Sequence, residues 1–394
     1  MIEYLLTVLL GVFAGMVTGI TPGIHINLIA SIALAISTHF DPILLCVFIV
    51  AMSITHTFLD FIPSVFLGAP EDDGNALSVL PGHRLLMKGY GYGAVKLTLM
   101  GSLYGLLLAI VILPLYMLVV KNIFDVIKFS VPFVILSISF FMIAKEEKKL
   151  IAMLVFLFSG LLGILTFNFK PIAQPLLPLF TGLFGLPLLF LSIKNKTKIK
   201  NQKVAELKLS KKEKIRPLLA GLFSSTLVSF YPAVGSGQAA IIGSEIIGKL
   251  NTKEFLVLVG SINTIVMLFS FVTAYAIGKA RSGSAATVMQ IIKDISIEAI
   301  FLFVIVAVVA GIMSFFICNS LAKIIARKIK KINYLTLCLL VFLFVISINI
   351  FVSKIWSIFV LACGFFIGLI ANTYGIKKIH MMGCLVIPTI FFYF

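Results

Sequence analysis

Long apolar runs, broken by short polar stretches, fill nearly the whole 394-residue chain. They fall at 2–20, 26–37, 42–66, 93–120, 126–144, 149–167 and 173–193, then at 217–232, 237–249, 254–278, 288–317, 333–352, 355–374 and 379–394. A helix rises about 1.5 Å per residue, so roughly 20 apolar residues cross a hydrocarbon core of about 30 Å. Most of these runs therefore read as spanning helices. Runs 26–37 and 237–249 are too short to cross and read as half-helices or the return arms of hairpins. Both follow a Pro-centred, Gly-rich break. Inside hydrocarbon such a break is tolerated only where protein buries it or a cavity lies beside it.

The two breaks repeat each other. Gly11–His25 aligns with Gly221–Gly235 at a shift of 210 residues, placing Thr21-Pro22-Gly23 on Tyr231-Pro232-Ala233. The same shift lays Leu67–Val79 on Ile277–Met289, with Gly68 on Gly278 and Ala76 on Ala286. Matched broken helices in two halves are the sequence pointer to the binding site of a secondary transporter.

Composition settles the class. With 60% hydrophobic and 12% charged residues, the chain reads as an all-α polytopic protein of the cell membrane. Its N-terminus lacks a signal peptide's basic flank and cleavage site, so the first helix is expected to stay. The net charge of +17 resembles a nucleic-acid signature until its placement is seen. Ten Lys and Arg lie at 194–216, five at 323–331, three at 145–149 and two at 377–378, in loops between apolar runs. That is the pattern of cytoplasmic loops, and no nucleic-acid partner is expected. The five cysteines stand singly in or beside apolar runs, with no metal spacing.

Placing the basic loops inside orients the repeat. Run 93–120 then goes inside to outside, whereas its counterpart 288–317 goes outside to inside. The expected architecture is two inverted-topology repeats with Pro/Gly-broken helices. The first repeat spans 1–200, a basic cytoplasmic linker 201–215, and the second repeat 216–394.

Candidate chemistry gathers at the breaks and the matched loops. Pro22, Gly23, His25, Asn27 and Ser31 follow the first break, and Pro232, Gly235, Ser236 and Gln238 the second. In the loops, freed N–H groups at a helix start form an anion-binding concavity. Gly68, Gly74 and Asn75 contribute from the first loop, and Arg281, Ser282 and Ser284 from the second. Charge separates the copies: Glu71, Asp72 and Asp73 in one, Lys279 and Arg281 in the other. His56 and Asp60 share one helical face within 42–66, and intramembrane ionisable groups often serve proton relays. The blander alternative is a structural pair, with Asp60 near enough the helix end to meet water. Glu245 on the second short helix is a further coupling candidate. No Walker A, HExxH or GxSxG motif occurs, so no enzyme activity, cofactor or metal is expected.

At these residues the sequence resembles the large membrane subunit of the tripartite tricarboxylate transporters. The resemblance rests on Thr21-Pro22-Gly23, Leu67-Gly68-Ala69-Pro70, Tyr231-Pro232-Ala233-Val234-Gly235, the small-residue loop 278–288, and Pro81-Gly82-His83-Arg84 with Lys88-Gly89. The chain departs from that pattern at Ala233, at Lys279-Ala280-Arg281 and at Glu71-Asp72-Asp73. The resemblance implies a carboxylate carrier working with a small membrane subunit and an extracytoplasmic binding protein. The combined reading is a secondary transporter of a small organic anion, coupled to H⁺ or Na⁺ and surrounded by membrane lipids. A polyprenyl-phosphate translocase is the alternative, and a non-transporting scaffold a third reading.

Overall fold

The computed structural model describes residues 2–22, 26–70, 76–127, 130–195, 199–229, 235–248, 250–331 and 333–393. Among the described residues there is no strand, and nine helices are long and apolar enough to cross a membrane. The first half holds α1 (Ile2–Ile20), α2 (Ile26–Ala35), α3 (Pro42–Leu59), α4 (Phe61–Phe66), α5 (Val79–Met87), α6 (Gly91–Ile127), α7 (Val131–Ala144), α8 (Lys149–Asn168), α9 (Leu176–Phe180) and α10 (Leu186–Lys194). A π-helical stretch, Thr181–Gly185, joins α9 to α10. The second half holds α11 (Lys211–Ser229), α12 (Ser236–Ile247), α13 (Thr252–Ile277), α14 (Gly283–Ile291), α15 (Ile297–Lys328), α16 (Tyr334–Ser353), α17 (Ser357–Tyr374) and α18 (Gly383–Tyr393), the last preceded by a 3-10 turn at Lys378–Met382.

Element boundaries follow the sequence repeat. Subtracting 210 places α11, α12 and α13 at 1–19, 26–37 and 42–67, where α1, α2 and the α3–α4 pair lie. Their ends are encoded alike. Asp41 caps α3 by accepting from the N–H groups of Ile43 and Leu44, and Asn251, 210 residues on, caps α13 by accepting from Lys253 and Glu254. At the far ends Gly68 and Gly278 take φ values of 70° and 62°, a left-handed turn that strains any side chain. The sequence expectation differs at 126–144, because α6 runs on to Ile127 and Pro132 lies in the first turn of a separate α7.

Small residues let the helices approach closely, as packing in lipid requires. Gly11, Gly15 and Gly19 lie on one face of α1 against Ala51, Thr55 and Leu59 of α3. The pairs rise together, so α1 and α3 run parallel, and the short α2 is the return arm between them. Gly101 and Gly105 bring α6 onto Val257 and Ser261 of α13, again in parallel. Thr55 and Phe58 of α3 meet Ser314 and Cys318 of α15, also in parallel. By contrast Leu106 faces Gly311 while Lys96 faces Asn319, so α6 and α15 run antiparallel.

These packings are exchanged between the halves. α13 lies along α6 while α3 lies along α15, and α18 packs on α8 while α10 packs on α17. Helices α3 and α13 form the centre, with 78% and 89% of their most apolar windows enclosed. The linker 201–215 is not a loose tether. Lys203 N–H donates to Gly89 O at 2.7 Å and Gly91 N–H to Gln202 Oε1 at 2.8 Å, and α11 already begins within the linker at Lys211.

Candidate functional site

The centre of the molecule is where α3 and α13 cross. Asp60, fully buried at the end of α3, accepts a hydrogen bond from Asn263 Nδ2 of α13 at 2.9 Å. Thr57 and Thr264 hydroxyls lie 3.4 Å apart beside it. The expectation of a water-exposed helix end at Asp60 is thereby corrected: α4 continues the helix and encloses the carboxylate. His56, one turn earlier, meets α1 through Nδ1 and Thr18 Oγ1 at 3.1 Å. The Thr18 hydroxyl also lies 3.2 Å from Gly15 O, so the ring and α1 share one hydrogen-bonded contact. The two ionisable groups that share a face are thus tied to different helices.

The second loop closes against both halves. Ser282 caps α14, accepting from Ala285 N–H at 3.1 Å, and its hydroxyl lies 3.0 Å from that of Ser270. Arg281 reaches through Nη1 to Val228 O at the end of α11. Beside it, Thr273 Oγ1 lies 3.2 Å from Ser229 O and 2.6 Å from the Tyr116 hydroxyl of α6. The space that a Gly283 Cβ would fill is taken by the side-chain amide of Asn27, so α2 of the first half sits on the start of α14 in the second.

On α11, α12 and α14, Ser225 Oγ, Ser229 Oγ, Gln238 Nε2 and Ser284 Oγ are all enclosed and make no hydrogen bond among the described residues. Gln238 spends its Oε1 on the N–H of Gly235, which fixes the start of α12. Each orphaned polar group costs roughly 1–3 kcal/mol unless something completes it.

The remaining candidates fall elsewhere or outside. Gly68 neighbours Leu188 and Val79, and Pro22 lies half-buried beyond α1. Ser236 is buried in the first turn of α12. Glu245 does not face the centre: it pairs with Lys145 at 3.3 Å on an exposed end. Gly23, His25, Gly74, Asn75 and Pro232, like the side chain of Ser31, lie outside the described residues. Reading the sequence missed Ser225 and Ser229, which resemble helix-packing serines. It also passed over Asn263, the partner of Asp60.

Among the described residues, nine apolar spans define a class, the multi-pass helical membrane protein. The chain belongs to the tripartite tricarboxylate transporter TctA family, whose model matches residues 5–383. It is also similar to Uncharacterized protein MJ1079 of Methanocaldococcus jannaschii. The two are 33% identical over 405 aligned residues, covering 99% of this chain and 98% of that protein. No solved structure matches it.

Proposed function

We propose that the protein is a secondary carrier of a small organic carboxylate, coupled to H⁺ or Na⁺, in which two inverted halves rock around a central site. The observation that carries this reading is the junction of Asn27 with Gly283, flanked by Arg281 and the orphaned Ser284. It joins the first break to the second loop and supplies a cation, hydroxyls and a helix N-terminus to a carboxylate. The antiparallel course of α6 and α15 and the exchanged packing support the inverted halves, divided as 1–200 and 216–394. Asp60, held by Asn263 at the crossing of α3 and α13, is the coupling group, because protonation or a bound cation there alters the contact between halves. A small membrane subunit and an extracytoplasmic binding protein are the partners this reading entails.

Counterflow in proteoliposomes tests it. Wild-type protein should exchange citrate or succinate, and Arg281→Gln should slow exchange by about tenfold or more. Asp60→Asn should retain exchange while losing uptake driven by a proton or sodium gradient. Absence of flux for every carboxylate, with correctly inserted protein, would overturn the carrier. Movement of a short-chain polyprenyl phosphate alone would replace it with a lipid translocase.

A further inference from the structure

Away from the junction, Lys378 of the 3-10 turn Lys378–Met382 lies within electrostatic reach of His83 and Arg84 on α5. Lys378 is only 6% exposed, and its ammonium is enclosed without a single hydrogen bond. Its electrostatic neighbours are further bases. Arg84 acts on Lys378, and Lys378 acts in turn on His83. His83 Nδ1 is likewise enclosed and unbonded, although the residue hydrogen-bonds the Val65 backbone, and Arg84 is exposed.

The described acids nearby do not answer this charge. The turn packs against α8, α12, α17 and α18. Before α8, Glu146 is taken by Lys377 and His380, both at 3.1 Å. On α12, Glu245 is taken by Lys145; Glu147, also before α8, is exposed. Helices α17 and α18 bring Tyr374 and Cys384 but no acid or base. An enclosed ammonium without a counter-charge is among the costliest groups a fold can hold. Burial, with Arg84 adding to it, lowers the pKa of Lys378 from 10.5 to about 7.

We infer that Lys378, His83 and Arg84 form a binding site for a small oxyanion, a carboxylate or phosphate group, separate from the junction between the two breaks. Arg84 draws the anion in from water, and the Lys378 ammonium supplies the enclosed charge-assisted hydrogen bond. A free solute and an anionic lipid headgroup share this chemistry, so the test separates them.

The experiment is calorimetric titration of the full chain, in nanodiscs of neutral lipid, with succinate and with inorganic phosphate at pH 8. Binding should take up a proton as Lys378 is recharged, seen as a dependence of the heat on buffer ionisation. Lys378→Met should weaken binding by about tenfold or more and abolish that uptake. Arg84→Gln, an exposed change that leaves the fold intact, should weaken binding several-fold. In an Arg281→Gln background, which removes the junction's share of succinate binding, proton-coupled binding should persist and Lys378→Met should still abolish it, so failure of the junction reading and of this site are distinguishable. If soluble anions bind only after anionic lipid is omitted, the headgroup is the competing occupant of the same site. Wild-type affinity and proton uptake in both Lys378→Met and Arg84→Gln would overturn the inference. So would the absence of any binding together with indifference to anionic lipid.

Discussion

Charged residues in this chain take their meaning from their partners. Lys377 and Lys378 are adjacent in sequence, yet one is exposed beside Glu146 and the other enclosed among bases. Glu146 and His380 give a testable consequence for pH. Burial would raise the Glu146 carboxyl, but hydrogen bonds from His380 and Lys377 outweigh it and hold the pKa below its ordinary 4.5. Burial lowers His380 below 6.5, against the opposing pull of Glu146. Both folded values are depressed, so each contributes stability present above its unfolded pKa and lost as pH falls. Loosening of 144–149 against 377–383 should begin as pH drops below 6.5, through the histidine, and deepen below 4.5, through the carboxylate. Hydrogen exchange of these two segments across pH 7 to about 4 measures it. Glu146→Gln should remove the lower part of that profile.

Helices show how much local sequence can encode. The caps at Asp41 and Asn251 and the left-handed Gly68 and Gly278 mark the ends of α3–α4 and α13 in the same way. The glycine faces were visible too, as a four-residue spacing at Gly11, Gly15 and Gly19. Which helix they face was not, because a small-residue stripe fits any partner of similar shape. Gly15→Val would drive its side chain into Met52 and Thr55. It should destabilise the protein by about 1–3 kcal/mol or more by overpacking. Lipid-facing Phe13→Val, two residues away, should change stability by less than about 0.5 kcal/mol. Chemical unfolding of the two variants in the same detergent compares them.

At the scale of the whole molecule, loops read as cytoplasmic from charge alone come together at one end. Residues 89–96 hold 202–206, Lys148 donates to Tyr374 O, and Lys96 meets Asn319. At the other end Ser353 donates to Gln174 O and Phe169 stacks edge-on to Trp356. Single cysteines should report this division, in a background where exposed Cys363 is replaced. An impermeant outside reagent should label positions 122, 171 and 355 and spare 147, 202 and 330. Labelling of 122 and 202 from the same side would refute the inverted arrangement.

By itself, the sequence determined the membrane class, the 210-residue repeat and the family motifs. All of these depend on local rules: hydrophobic length, capping and backbone strain act within a turn or two. Tertiary structure decided that Asp60 is enclosed and answered by Asn263, that Glu245 leaves the centre for Lys145, and that Asn27 lands on Gly283. It also decided that Lys378 faces bases rather than water. Burial and pairing arise only when segments hundreds of residues apart exclude water together. In this protein, that is the step that turns a repeated pattern of breaks into a site.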